Sequence, residues 1–166
     1  MEQHKVRPTI MIVDDSEEDQ MIMESILAKE YSLKIFSQSQ EALDFALSNP
    51  PDLILLDVMM PDLDGYEFCL KIRSNPKLEF IPVIFITSKN DDEDERRGFA
   101  SGGSDFISKP INAPTFLARI NTHLKIKLAI DYLKSEKAGS NSGEHSISTD
   151  LVKIIKTLCD NPFLKI

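Results

Sequence analysis

The chain has 166 residues, enough for one ordinary domain and a short extension, and at 42% apolar and 28% charged its composition is that of a globular protein. With 19 Lys and Arg against 27 Asp and Glu, its net charge of −8 argues against a protein that coats nucleic acid or sits on an anionic membrane through basic charge. No apolar run exceeds four residues, far below the about 20 of a membrane span, and Cys69 and Cys159 lack the spacing of a disulfide framework or a zinc site, so a soluble, acidic, cytoplasmic protein is expected.

Short apolar runs recur at near-regular intervals: Ile10–Val13, Leu33–Phe36, Leu53–Leu56, Val83–Ile86 and Phe106–Ile107. The first, third and fourth are continuously apolar, the pattern of strands covered on both faces in a parallel sheet. The second alternates and carries Lys34, which suits a strand nearer the sheet edge. Helix-length segments separate them. Ser16 to Glu30 carries Met21, Ile22, Ser25, Ile26 and Lys29 around one turn pattern, with Ser16 as cap. Gln40 to Ser48 is stopped by Asn49-Pro50-Pro51, and Gly65 to Ser74 by Asn75-Pro76. Asp91 to Ser101 ends at Gly102-Gly103, and a fifth helix starts at Ala113 with Pro114 in its first turn.

Five βα units predict an α/β fold with right-handed crossovers, a flavodoxin-like doubly wound five-stranded parallel sheet in the order 2-1-3-4-5. Neither G-x-G-x-x-G after the first strand nor a Walker A sequence occurs, so nucleotide binding by those devices is not expected. Residues 1–134 form the predicted domain. Residues 135–149, rich in Ser, Gly, Glu and Lys, are expected to be a flexible linker. Within 150–166, Leu151, Ile154, Ile155 and Leu158 suit a short amphipathic helix, either a native tail or the start of a truncated output domain. The segment after residue 134 is neutral, so the whole excess of negative charge lies in the predicted domain.

Ligands of open parallel sheets bind at the carboxyl ends of the strands. There the first strand ends in Asp14-Asp15, the third in Asp57, the fourth in Thr87-Ser88 and the fifth in Ser108-Lys109-Pro110. Strands 1 and 3 are neighbours in the predicted order, so three carboxylates converge. A like-charge pair about 4 Å apart costs about 4 kcal/mol at an effective dielectric of 20, so the cluster calls for positive charge. Lys109 and a metal ion can supply it, and oxygen ligands without His or Cys favour Mg²⁺. A carboxylate beside both can attack phosphorus and form an aspartyl phosphate, with the Thr87 hydroxyl bonding a phosphoryl oxygen.

The chain resembles the response-regulator receiver domain of two-component signalling. The resemblance rests on Ile12-Val13-Asp14-Asp15, on Leu53 through Asp57 to Met60-Pro61-Asp62-Leu63-Asp64-Gly65, on Pro82 through Thr87-Ser88, and on Asp105-Phe106-Ile107-Ser108-Lys109-Pro110. It spans about residues 8–134. It implies Asp57 as phosphoacceptor, Asp15, Asp57 and the Met59 backbone carbonyl as Mg²⁺ ligands, and Asp14 acting through metal-bound water. It further implies Lys109 pairing with the phosphoryl group and Thr87 with Phe106 as a switch pair, the ring turning inward as the hydroxyl moves. The Lys109-Pro110 peptide is expected to be cis, and Met59 and Lys89 are expected to tune phosphoryl lifetime. The implied donor is a phosphohistidine on a sensor histidine kinase or phosphotransfer protein. The implied output face is helix 4, strand 5 and helix 5, a possible homodimer surface, as is an extended helix 5. Ser88 departs from the frequent Ala of relatives.

Other readings stand beside these. Asp14-Asp15 can cap the first helix, Thr87 can be an ordinary strand-end hydroxyl, and Phe106 can be core. The acidic run Asp91 to Glu95 suits a helix N-terminus with a solvated face, Cys69 a half-buried position, and the histidines no chemistry. Two alternative functions remain: a docking module that keeps the fold without phosphorylation, or the N-terminal regulatory fragment of a larger signalling enzyme. An enzyme in its own right is not expected, because an aspartate-nucleophile phosphohydrolase needs an acid/base where Met59 stands.

Overall fold

The computed structural model describes residues 7–88 and 92–139. Five strands, β1 (Thr9–Val13), β2 (Ser32–Phe36), β3 (Leu53–Leu56), β4 (Val83–Thr87) and β5 (Asp105–Ser108), alternate with five helices. These are α1 (Glu17–Leu27), α2 (Ser39–Ser48), α3 (Gly65–Arg73), α4 (Asp92–Ala100) and α5 (Ala113–Gly139). The strands pair in parallel in the order β2-β1-β3-β4-β5, the predicted topology.

Successive strand residues face opposite sides, so each central strand feeds two cores. Met11, Val13, Ile54, Leu56, Val83 and Phe85 pack with α2 and α3 residues such as Ala42, Phe68 and Ile72. Ile10, Ile12, Leu53, Leu55, Ile84 and Ile86 pack with Met23 and Leu27 of α1 and Phe116, Ile120 and Leu124 of α5. All of β1 after Thr9 and all of β3 and β4 are buried, whereas edge strand β2 is mostly half-buried with Lys34 exposed.

Helix boundaries follow local chemistry. The Ser16 hydroxyl accepts from the Asp19 N–H and starts α1, and the Asp64 carboxylate accepts from the Glu67 N–H and starts α3. After α4 the chain reverses at Gly102, whose φ of 95° is one that side chains rarely adopt.

Several expectations change. α1 buries Met23 and Leu27, four residues apart, while Met21 and Ile22 of the expected stripe are 69% and 41% exposed. Cys69 is wholly buried rather than half-buried. The acidic run is not uniformly solvated: Asp94 is buried and accepts the Tyr66 hydroxyl at 3.1 Å. α5 extends through Gly139, so the first five residues of the expected linker are helical, and at 1.5 Å per residue its 27 residues reach about 40 Å. Leu124 and Leu128 of α5 join the core, whereas Ile126 and Leu133 stay exposed. The rest of the expected linker, the tail helix, Lys89 and Asp91 lie outside the described residues.

Candidate functional site

The strand ends bring the predicted residues to one edge of the sheet. Asp14 follows β1, and its own N–H donates to the Phe36 carbonyl at 3.1 Å. Asp57 follows β3, its N–H donating to the Val13 carbonyl at 2.9 Å, which fixes the two carboxylates side by side. Lys109 follows β5, its N–H bound to the Thr87 carbonyl at 2.9 Å, and its peptide bond to Pro110 is cis.

The loop between Asp57 and α3 is pinned from several directions. The Ser39 hydroxyl donates to the Leu63 carbonyl at 2.7 Å, and the Gln40 N–H to the Asp62 carboxylate at 3.0 Å. Gly65 is required by close approach: a Cβ there would stand 2.6 Å from the Asp57 carbonyl oxygen and 2.9 Å from Val58 Cα.

Asp14 is fully buried and Asp57 nearly so, while Asp15 is exposed. Each offers a carboxylate oxygen, and these oxygens lie within 4.8 Å of one another. One Asp14 oxygen accepts from the Ser16 N–H at 2.9 Å, and one Asp57 oxygen from the Met59 N–H at 3.2 Å. The Lys109 ammonium reaches Asp14 at 3.0 Å, Asp57 at 3.3 Å and Asp19 at 2.7 Å. Thr87 is buried at the end of β4. Phe106 is also buried, 5.4 Å between ring centroids from Phe85, and occupies the space a Cβ on Gly98 would need. The ring thus packs between Phe85 and the Gly98 backbone in this structure. Met59 is 55% exposed at the rim.

Residues 10–121 match the family described as the response regulator receiver domain. The chain belongs to that family. This receiver domain is 41% identical over 128 residues to a Vibrio cholerae protein named "Probable cyclic di-GMP phosphodiesterase", covering 77% of this chain and 29% of that one. It is 38% identical over 130 residues to response regulator PleD of Caulobacter vibrioides, covering 78% of this chain and 29% of that one. Among solved structures, the Vibrio cholerae chemotaxis protein CheY4 superposes with a TM-score of 0.67 at 27% identity, over 70% of this chain and 98% of that one. The receiver spans less than a third of the length of the two curated relatives. Receiver domains are not themselves a catalytic enzyme family, and they interact with histidine kinases or phosphotransfer proteins. Among the described residues no helix is long and apolar enough to cross a membrane.

The electrostatics of the receiver's acidic end follow from burial and crowding. Burial raises the Asp14 carboxyl above its ordinary range, and nearby Asp57 adds to that, against the opposing bonds from Ser16 and Lys109. Burial alone would lower Lys109, but the hydrogen bonds to Asp19 and Asp14 and the charges of Asp14 and Asp57 outweigh it and hold the ammonium above the ordinary lysine range. The three clustered carboxylates offer oxygen ligands without imidazole or thiol, a donor set that fits a hard divalent cation such as Mg²⁺.

Two participants escaped the sequence reading. Asp19, in the first turn of α1, is the nearest partner of Lys109; its signal was a carboxylate four residues past Asp15 on the helix that opens beside the cluster. Tyr66 ties α3 to α4 by donating to both the Asp94 backbone oxygen and its carboxylate, under the Arg97 guanidinium 4.4 Å from the ring. A Tyr one residue into a helix carries no sequence signal of that kind.

Proposed function

We propose that Asp57 accepts a phosphoryl group and that Asp15, Asp57 and the Met59 carbonyl hold Mg²⁺, with Asp14 bonding a metal-held water. The observation that carries this reading is the convergence of buried Asp14 and Asp57 with partly buried Lys109 at the carboxyl edge of β1, β3 and β5. When bound, Mg²⁺ supplies positive charge to the phosphoryl oxygens.

An Asp57 oxygen attacks phosphorus in line. The bond from phosphorus to the donor's imidazole nitrogen breaks, and its electron pair leaves with the nitrogen. Lys109 offsets charge on the phosphoryl oxygens, and the Thr87 hydroxyl bonds one of them. Phe106, two residues before Thr87's strand partner Ser108 on β5, then responds to the hydroxyl's position as the other half of a switch pair. The donor is a sensor histidine kinase or phosphotransfer protein. Phosphorylation biases a two-state equilibrium of the α4/β5/α5 face, where output partners or a second copy dock.

We further propose that residues 1–134 form a cytoplasmic receiver unit, and that 135–149 and 150–166 are its connection and a tail or the start of an output domain. The short share of the curated relatives that this chain covers favours a second reading, a regulatory portion of a larger signalling protein. The test is an Asp57→Asn variant given acetyl phosphate and Mg²⁺: the parent takes up label and the variant does not. Equal labelling of both refutes the assignment.

A further inference from the structure

The Lys109 ammonium has three N–H donors, and three carboxylates take them: Asp19 at 2.7 Å, Asp14 at 3.0 Å and Asp57 at 3.3 Å. Asp14 and Asp57 belong to the clustered acids, whereas Asp19 stands outside that group and meets it through Lys109. Among the described residues the Asp19 carboxylate has no other hydrogen-bond or ion-pair partner.

Lys109 does not need Asp19 to stay in place. Its backbone N–H is held by the Thr87 carbonyl, and buried Asp14 fixes one N–H of the ammonium. Nor does α1 need the Asp19 side chain for its start, because the Ser16 cap bonds the Asp19 backbone N–H. What Asp19 does is draw the ammonium toward α1, away from the Asp57 oxygen that is its most distant partner.

We propose that Asp19 is a positioning residue that competes with the incoming phosphoryl group for Lys109 and so restrains phosphoryl transfer onto Asp57. This rests on Asp57 being the acceptor. Charge that develops on the phosphoryl oxygens needs a donor from Lys109, and the Asp19 bond is the one that yields. Asp19 is partly exposed, at 26% of its side chain, so the bond is replaceable by water and its loss leaves the fold intact.

The experiment measures the rate of label uptake from acetyl phosphate with Mg²⁺ in the full chain, for the parent, Asp19→Asn, Lys109→Met and the double variant. Asp19→Asn is expected to react about fivefold faster, about 1 kcal/mol at 1.36 kcal/mol per tenfold. Asp19→Glu, which retains a competing carboxylate, keeps the parent rate. In the Lys109→Met background Asp19→Asn changes nothing. An equal acceleration in both backgrounds means that the effect is long-range repulsion of an anionic donor, and overturns the proposal. So does the absence of acceleration in a variant whose circular dichroism and urea midpoint match the parent. An Asp57→Asn control that still takes label refutes instead the acceptor assignment beneath it, so the two failures are distinct.

Discussion

Replacing Asp14 by Asn should stabilise the protein in the absence of metal. Asp14 is fully buried, and one of its oxygens lies within 4.8 Å of one oxygen each of Asp15 and Asp57. At an effective dielectric of 20, each such like-charge pair costs about 3.5 kcal/mol, and the attraction of Lys109 at 3.0 Å returns about 5.5 kcal/mol. The two repulsions exceed the attraction by about 1–2 kcal/mol, and burial of the charge adds to the deficit. The side-chain oxygen of Asn still accepts from the Ser16 N–H, and Lys109 keeps Asp19 and Asp57. The expected gain is therefore about 1–2 kcal/mol, a rise in urea midpoint of about 0.5–1 M at a slope of about 2 kcal/mol per M. Measured in chelator at pH 7, the variant should have the higher midpoint. Added Mg²⁺ should raise the parent's midpoint by more than the variant's. A variant less stable than the parent in chelator would refute the reasoning, because Lys109 would then more than compensate the crowding.

Three further outcomes follow from specific contacts. Gly65→Ala puts a methyl group 2.6 Å from the Asp57 carbonyl oxygen, so a backbone shift costing about 1–3 kcal/mol is expected, with a lower urea midpoint and slower uptake of label. Tyr66→Phe keeps the ring 5.5 Å from Phe85 but removes the hydroxyl that Asp94 accepts, so a loss of about 1–2 kcal/mol is expected, with faster amide exchange concentrated in α4. Burial pushes the Asp105 carboxyl up, but the bonds from the Phe106 N–H, Arg119 and His123 outweigh it and hold it below its ordinary value of 3.8. A depressed carboxylate stabilises the fold above its ordinary pKa, and that contribution is lost as pH falls toward the folded value. Urea midpoints taken at about pH 4 and about pH 3 should therefore fall more steeply in the parent than in Asp105→Asn.

The strands were legible because burial on both faces leaves a plain signature: the runs Ile10–Val13, Leu53–Leu56 and Val83–Ile86 have no polar face to confuse. Their carboxyl ends, with the strand order, put Asp14, Asp57 and Lys109 at one edge of the sheet, where the Lys109 ammonium lies 3.0 Å from Asp14 and 3.3 Å from Asp57. The face of α1 was misread because Met21, Ile22, Met23, Ile26 and Leu27 surround most of the helix. Periodicity alone leaves two faces open, and the sheet's choice of Met23 and Leu27 depends on how α1 leaves β1. Asp94 looked solvated because its neighbours are; only the packing of α3 against α4 puts Tyr66 over it. The position of Phe106 depends on the missing Cβ of Gly98, a contact between elements that no local pattern encodes. Asp19 lay in plain view, but its meaning required the reach of Lys109 across the sheet edge.

The most direct test locates the phosphoryl group. After acetyl phosphate treatment with Mg²⁺, reduction of the acyl phosphate with borohydride converts the modified aspartate to homoserine, and peptide mass spectrometry finds the position. The predicted result is conversion at Asp57 alone, abolished by chelator. Conversion at Asp14, Asp15 or elsewhere, or conversion at Asp57 that is indifferent to Mg²⁺, would contradict the account.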